Sequence, residues 1–110
     1  MLKKTNRINK TRDLQKVYRS GKTLHTPALV IKFVSGAKTR VGMVVSKKVS
    51  KKAVERNRIK RALREKMRNG LPSLAPGDYM LVAKPTAASY KGKELSDQLQ
   101  ASLVRAGLWK

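Results

Sequence analysis

The chain contains no cysteine. Disulfide staples and thiolate chemistry are excluded, and a reducing compartment suits such a chain. Histidine occurs once, at His25, two residues before Pro27 at the edge of an expected strand. A metal site or a general base would need partners that this position lacks. Acid is scarce: there are six Asp and Glu residues in all. Asp13 and Glu94 read as helix-terminal charges, Glu55, Glu65 and Asp97 as solvated helix positions, and Asp78 as a turn residue after Pro76-Gly77. None are spaced as a catalytic carboxylate pair. Walker and Rossmann glycine patterns are missing too. No run approaches the ~18–20 apolar residues of a membrane-spanning helix. The start, Met1-Leu2-Lys3-Lys4-Thr5-Asn6-Arg7, is basic with no apolar stretch behind it, unlike a secretory signal. The expectation is a cytoplasmic protein with no catalytic residue and no metal ligand of its own.

Positive charge is what the chain has in excess. Twenty-seven Lys and Arg among 110 residues leave a net charge of +21. Self-repulsion on that scale opposes a compact state, and a polyanionic partner offsets it. Apolar residues make up 40% of the chain, enough to build one modest core, so a single domain over residues 1–110 is expected.

Residues 1–8 are basic and aperiodic and read as a loosely held arm. Thr11 can cap a helix to about Ser20, with Leu14, Val17 and Tyr18 on one stripe and Gly21 at its end. Lys22 to His25 reads as a short edge strand, and Ala28 to Val34 as a β-branched strand. Arg40 to Val45 is another strand, and the turn Ser35-Gly36-Ala37-Lys38 makes these two a hairpin. A basic loop over 46–52 leads into a helix from about Ala53 to Arg68, stopped by Asn69-Gly70-Leu71-Pro72. Tyr79 to Ala83 is a strand, and roughly Lys93 to Ala106 a last helix with Leu95, Leu99, Leu103 and Ala106 on one face. The expected class is α+β, with helices layered on one sheet.

The central helix carries the chemistry. Ile59, Ala62, Leu63 and Met67 share one arc, whereas Asn57, Arg58, Lys60, Arg61, Arg64 and Arg68 fill most of the other. Arg56 falls on the flank, and Val54 does not fit the apolar stripe. Acids are too few to neutralise this face by i,i+4 pairing. Arginine forks bind phosphate bidentately, and a rigid helix tracks a phosphate backbone with little loss of entropy. A polyanion-binding face is expected. RNA is favoured over DNA because a groove between helix and sheet could take a single strand, with Tyr18, Phe33, Tyr79 and Tyr90 as candidate stacking surfaces.

The segment Val45-Ser46-Lys47-Lys48-Val49-Ser50-Lys51-Lys52-Ala53-Val54-Glu55-Arg56-Asn57-Arg58-Ile59-Lys60-Arg61-Ala62-Leu63-Arg64-Glu65 resembles the defining motif of the bacterial ribonuclease P protein component. Arg7-Ile8, Asp13-Leu14, Val17-Tyr18 and Gly21 resemble that family's first helix and its ending, Arg40-Val41-Gly42 its central strand, and Asp78-Tyr79 with Lys84-Pro85 its last strand. The resemblance implies an α-β-β-β-α-β-α sandwich, with helices on a four-stranded sheet and a left-handed crossover through the central helix. It implies a partner, the catalytic ribonuclease P RNA, which carries the active site and binds most of the Mg2+, with one protein per RNA. The substrate would be precursor tRNA, whose 5′ leader is removed. By the resemblance, Lys47, Lys48, Lys51, Lys52, Arg56, Asn57, Arg58, Lys60, Arg61 and Arg64 would face the catalytic RNA. Leu14, Tyr18 and Lys32 would hold the leader. The family often has phenylalanine where Leu14 stands, which leaves apolar contact in place of stacking. Lys32 stands where some members have an aromatic, which exchanges stacking for a phosphate contact. Ser50 replaces a frequent glycine in a loop that tolerates the change. Composition and fold class alone also fit a small protein of another ribonucleoprotein, or a DNA-compacting or membrane-surface protein. A membrane-surface helix needs large apolar residues opposite its charge; here Ile59, Leu63 and Met67 are the only ones, and the core needs them.

Overall fold

The computed structural model describes residues 22–110. The expected arm over 1–8, the helix from Thr11 to Ser20, and the leader-groove residues Leu14 and Tyr18 lie outside the described residues. The elements run β1 (Lys22–His25), β2 (Leu29–Ser35), β3 (Arg40–Val44), α1 (Ala53–Gly70), β4 (Gly77–Ala83) and α2 (Gly92–Arg105). Short 3-10 turns at Leu71–Ser73 and Pro85–Ser89 flank β4. The class is α+β, as expected.

Strand order is β1-β2-β4-β3. The hairpin lies one step earlier than expected. β1 pairs antiparallel with β2, and Thr26 holds their connection: its Oγ1 accepts from the Leu29 amide at 2.8 Å, and its own amide donates to the Leu29 carbonyl at 2.8 Å. β2 and β3 are not neighbours. β4 lies between them, antiparallel to β2 and parallel to β3. A parallel pair needs a connection of a dozen or more residues, and α1 supplies it. The chain does bend at Ala37-Lys38, but β4 is the most buried strand, with Tyr79, Met80, Leu81 and Ala83 all buried. Such a strand gains most from the centre of the sheet, where both faces are covered.

Alternation along the strands sends Leu29 and Ile31, Val41, and Tyr79, Leu81 and Ala83 to one face. There they pack with Ile59, Leu63 and Met67 of α1 and with Leu95, Leu99 and Leu103 of α2. The period-3.6 stripes expected on both helices are the ones buried. On the other face Val34, Val44 and Val82 pack against Met80. Asp78 is not a turn residue: it stands in β4 opposite Arg40 of β3, whose Nε and Nη2 donate to its two carboxylate oxygens at 2.8 Å each. This fork ties the parallel pair together at its open end. α2 ends as its sequence predicts. Gly107 takes φ +78, its amide donates to the Val104 carbonyl, and the Leu108 amide donates to that of Leu103.

Among the described residues, Tyr79 is the largest fully buried side chain. Its ring lies 4.8 Å from that of Phe33, and its hydroxyl donates to the Ala75 carbonyl at 2.6 Å. It is a core residue, not a base-stacking surface. Burial pushes its hydroxyl up from 10.0 to about 12. A phenol whose folded pKa is raised favours the folded state fully below pH 10, and that contribution is lost as pH rises through 12. Tyr79→Phe should remove this dependence. Denaturant melts of both proteins at matched pH values above 9 are expected to show the wild type losing its advantage between 10 and 12. Pairing them cancels the loss of lysine charge, which both share.

Candidate nucleic-acid interface

The basic loop between β3 and α1 is hung on two buried valines, Val45 and Val49, so Lys47 and Lys48 project between fixed points. The Val49 amide donates to the Ser46 carbonyl at 3.0 Å and closes that turn. The second half of the loop is clamped by the first turn of α1. Ser50 Oγ donates to Glu55 Oε2 at 2.6 Å and accepts from the Lys52 amide at 3.2 Å. Arg56 Nη1 donates to the carbonyls of Ser50 and Lys51, both at 2.9 Å. One expectation changes here: Glu55 is not merely solvated, because its carboxylate accepts from Ser50. Ser50 is a hydrogen-bond node, and Arg56 braces the loop backbone at Ser50 and Lys51. The signal was available in the spacing, since Glu55 sits at the third helical position, where a carboxylate reaches back to the entering chain.

Helix α1 runs over Ala53–Gly70, close to expectation. Val54 is 81% exposed, so its misfit to the stripe reflects simple exposure at the helix start. Asn57, Lys60, Arg61, Arg64 and Arg68 recur at helical spacing along the outward ridge. From Asn57 to Arg68 the ridge is roughly 16 Å long at 1.5 Å per residue. Arg58 leaves the ridge: its Nη1 donates to the Tyr90 carbonyl at 3.2 Å, bracing α1 against the segment that enters α2. Arg68 pairs with Glu65 at 3.1 Å. Among the described residues, the side chains of Lys47, Lys48, Lys51, Lys52, Asn57, Lys60, Arg61 and Arg64 have no hydrogen bond or ion pair. A run of cations without partners on a rigid support is an electrostatic surface for a phosphate backbone.

Lys32 lies elsewhere, on the sheet face away from α1 and α2. It stands in register between Thr23 and Met80, and its Nζ reaches Thr23 Oγ1 at 3.3 Å. His25 is exposed at the end of β1, and Tyr90 is half-buried against the core. Among the described residues no three His, Cys, Asp or Glu side chains come together as metal ligands, and no helix is long and apolar enough to cross a membrane.

The family model for ribonuclease P matches residues 2–107. A ribonuclease P protein component from an Exiguobacterium species is 36% identical over 111 residues, covering 99% of this chain and 96% of that protein. One from Xanthomonas campestris pv. campestris is 44% identical over 92 residues, covering 83% of this chain and 62% of its own. Among solved structures, the Staphylococcus aureus RNase P protein superposes with a TM-score of 0.90 at 28% identity, covering 97% of this chain and 100% of that one. The RNase P protein of Thermotoga maritima gives 0.79 at 26% identity, covering 90% and 96%. Matched along nearly its whole length in sequence and in fold, this chain belongs to the bacterial ribonuclease P protein family.

Proposed function

We propose that this chain is the protein subunit of a cytoplasmic ribonuclease P ribonucleoprotein, one protein per RNA. It binds the catalytic RNA through the loop and ridge formed by Lys47, Lys48, Lys51, Lys52, Asn57, Lys60, Arg61 and Arg64. Arg56 and Arg58 hold that surface in shape. Leu14, Tyr18 and Lys32 hold the 5′ leader of precursor tRNA, Lys32 from the sheet face away from α1 and α2. The observation that supports this reading most is the set of unpartnered cations on one helix ridge and its leading loop, in a family whose members are ribonuclease P protein components. The Mg2+ ions that ribonuclease P chemistry needs are assigned mainly to the RNA. The chain's own work is electrostatic: it replaces part of the counterion screening that folded RNA demands.

Reconstitution tests this. Protein rigorously freed of RNA should leave precursor tRNA intact. Added to transcribed ribonuclease P RNA at low magnesium, it should restore cleavage at the mature 5′ end, and it should favour precursor over leaderless tRNA. Cleavage by the protein alone, or no effect on the RNA at any magnesium concentration, would overturn the proposal.

A further inference from the structure

A second cationic place lies away from the ridge. Between β1 and the last turn of α2 is a hollow of about 250 Å³, lined by Lys22, Leu24, His25, Ser102, Arg105 and Ala106. No acid lines it. The side chains of Lys22, His25 and Arg105 make no hydrogen bond or ion pair among the described residues, although all three border the same space. Ser102 is only 8% exposed, and its hydroxyl also has no hydrogen-bond partner. That hydroxyl borders the hollow and is free to donate to an acceptor placed there. The obvious objection is the C-terminal end of α2, whose free carbonyls would repel an anion. Here three of the last four are occupied. The Ser102 carbonyl takes the Ala106 amide, that of Leu103 takes Leu108 and Trp109, and that of Val104 takes Gly107.

We infer that this hollow is a phosphate-binding site, taking one phosphodiester group of an RNA strand between Lys22 and Arg105 with Ser102 as a donor at its floor. The RNA assignment rests on the function proposed above; the phosphate chemistry does not. β1 and β3 are opposite edges of the sheet, so the hollow is separated from the loop that follows β3 by three strand spacings, roughly 14 Å. One electrostatic contact lets an RNA pivot on the protein, whereas two at opposite edges fix its orientation.

The test uses the full chain and the double variant Lys22→Gln with Arg105→Gln. Both side chains are exposed and unbonded, so the melting temperature should not fall. Titration with inorganic phosphate, followed by amide NMR, should shift Lys22, Leu24, Ser102 and Arg105. The variant should lose these shifts and keep those along Lys60 and Arg61. Absence of the shifts, or their persistence in the variant, overturns the site. Binding is then measured across salt with transcribed ribonuclease P RNA and, separately, with precursor tRNA. The salt slope should fall by about 0.7–0.9 with whichever RNA supplies the phosphate. Unchanged slopes with both overturn the RNA assignment. A parallel Arg61→Ala, Arg64→Ala protein separates the two failures: if its slope falls and that of the hollow variant does not, the hollow alone is wrong. If neither falls, the proposed function is wrong as well.

Discussion

The triple change Lys60→Ala, Arg61→Ala and Arg64→Ala is expected to weaken binding to ribonuclease P RNA on the order of a hundredfold at about 0.15 M salt. Each phosphate contact releases condensed counterions, which contributes roughly fivefold in affinity at that salt and a slope of about 0.7–0.9. The three side chains form no bond within the protein, so their loss costs no internal contact. Alanine is also the stronger helix former, and each substitution lowers the self-repulsion of a chain at +21. Thermal stability should hold or rise while affinity falls. Arg58→Ala should behave differently. It breaks the bond to the Tyr90 carbonyl, so a loss of about 1 kcal/mol in stability should accompany any loss in binding. Binding isotherms across salt, read beside melting curves, distinguish the two. A triple variant that binds with wild-type affinity and slope would remove this ridge from the interface.

Gly70→Ala is expected to destabilise the protein although intrinsic propensity argues the reverse. Gly70 is the last residue of α1 and has φ −95° and ψ 0°, a backbone that alanine adopts freely. In an open helix, alanine would gain about 1 kcal/mol over glycine. Here the indole of Trp109 lies against the Gly70 backbone, and a methyl group would stand 2.5 Å from its Cζ2 atom. The ring has little room to retreat. Leu74 and Trp109 form a β-bridge, the Lys110 amide donates to the Ser73 carbonyl at 2.9 Å, and the Ala75 amide donates to that of Leu108 at 2.8 Å. Lys66 Nζ sits 5.9 Å from the indole centre. Overpacking of this kind costs about 1–3 kcal/mol. Trp109→Ala removes the obstacle, so adding Gly70→Ala to it should stabilise rather than destabilise. That reversal of sign in a double-mutant cycle is the measurement. Additive losses would mean that the close approach does not limit the site.

Helices α1 and α2 and all four strands were legible because their signals are local. The stripe Ile59, Leu63, Met67 and the stripe Leu95, Leu99, Leu103 each bury the face that their spacing selects. Pro27 and Gly107 mark boundaries through their own backbone chemistry. Partner choice was not legible. The turn residues Ser35-Gly36-Ala37-Lys38 favour a hairpin locally, but β4, which follows only after α1, outcompetes β3 for the edge of β2. The same non-locality hid the role of Asp78, whose partner Arg40 lies on another strand, and the use of Trp109, which meets Gly70 only when the chain end folds back. At the interface, residue types disclosed the charge and its helical support. They did not separate the arginines that bond within the protein, Arg56 and Arg58, from those that do not, Arg61 and Arg64, because all four carry the same group.

The order in which the chain leaves the ribosome bears on β4. β2 and β3 emerge first, and the strand that must join them emerges only after the whole of α1. Until β4 arrives the sheet has no centre, and α1 has no complete surface on which to bury Ile59, Leu63 and Met67. Joining distant segments in one step makes for slow, cooperative folding. The cationic ridge therefore comes into being together with the sheet, so a nascent chain displays it in ordered form only once β4 has been synthesised.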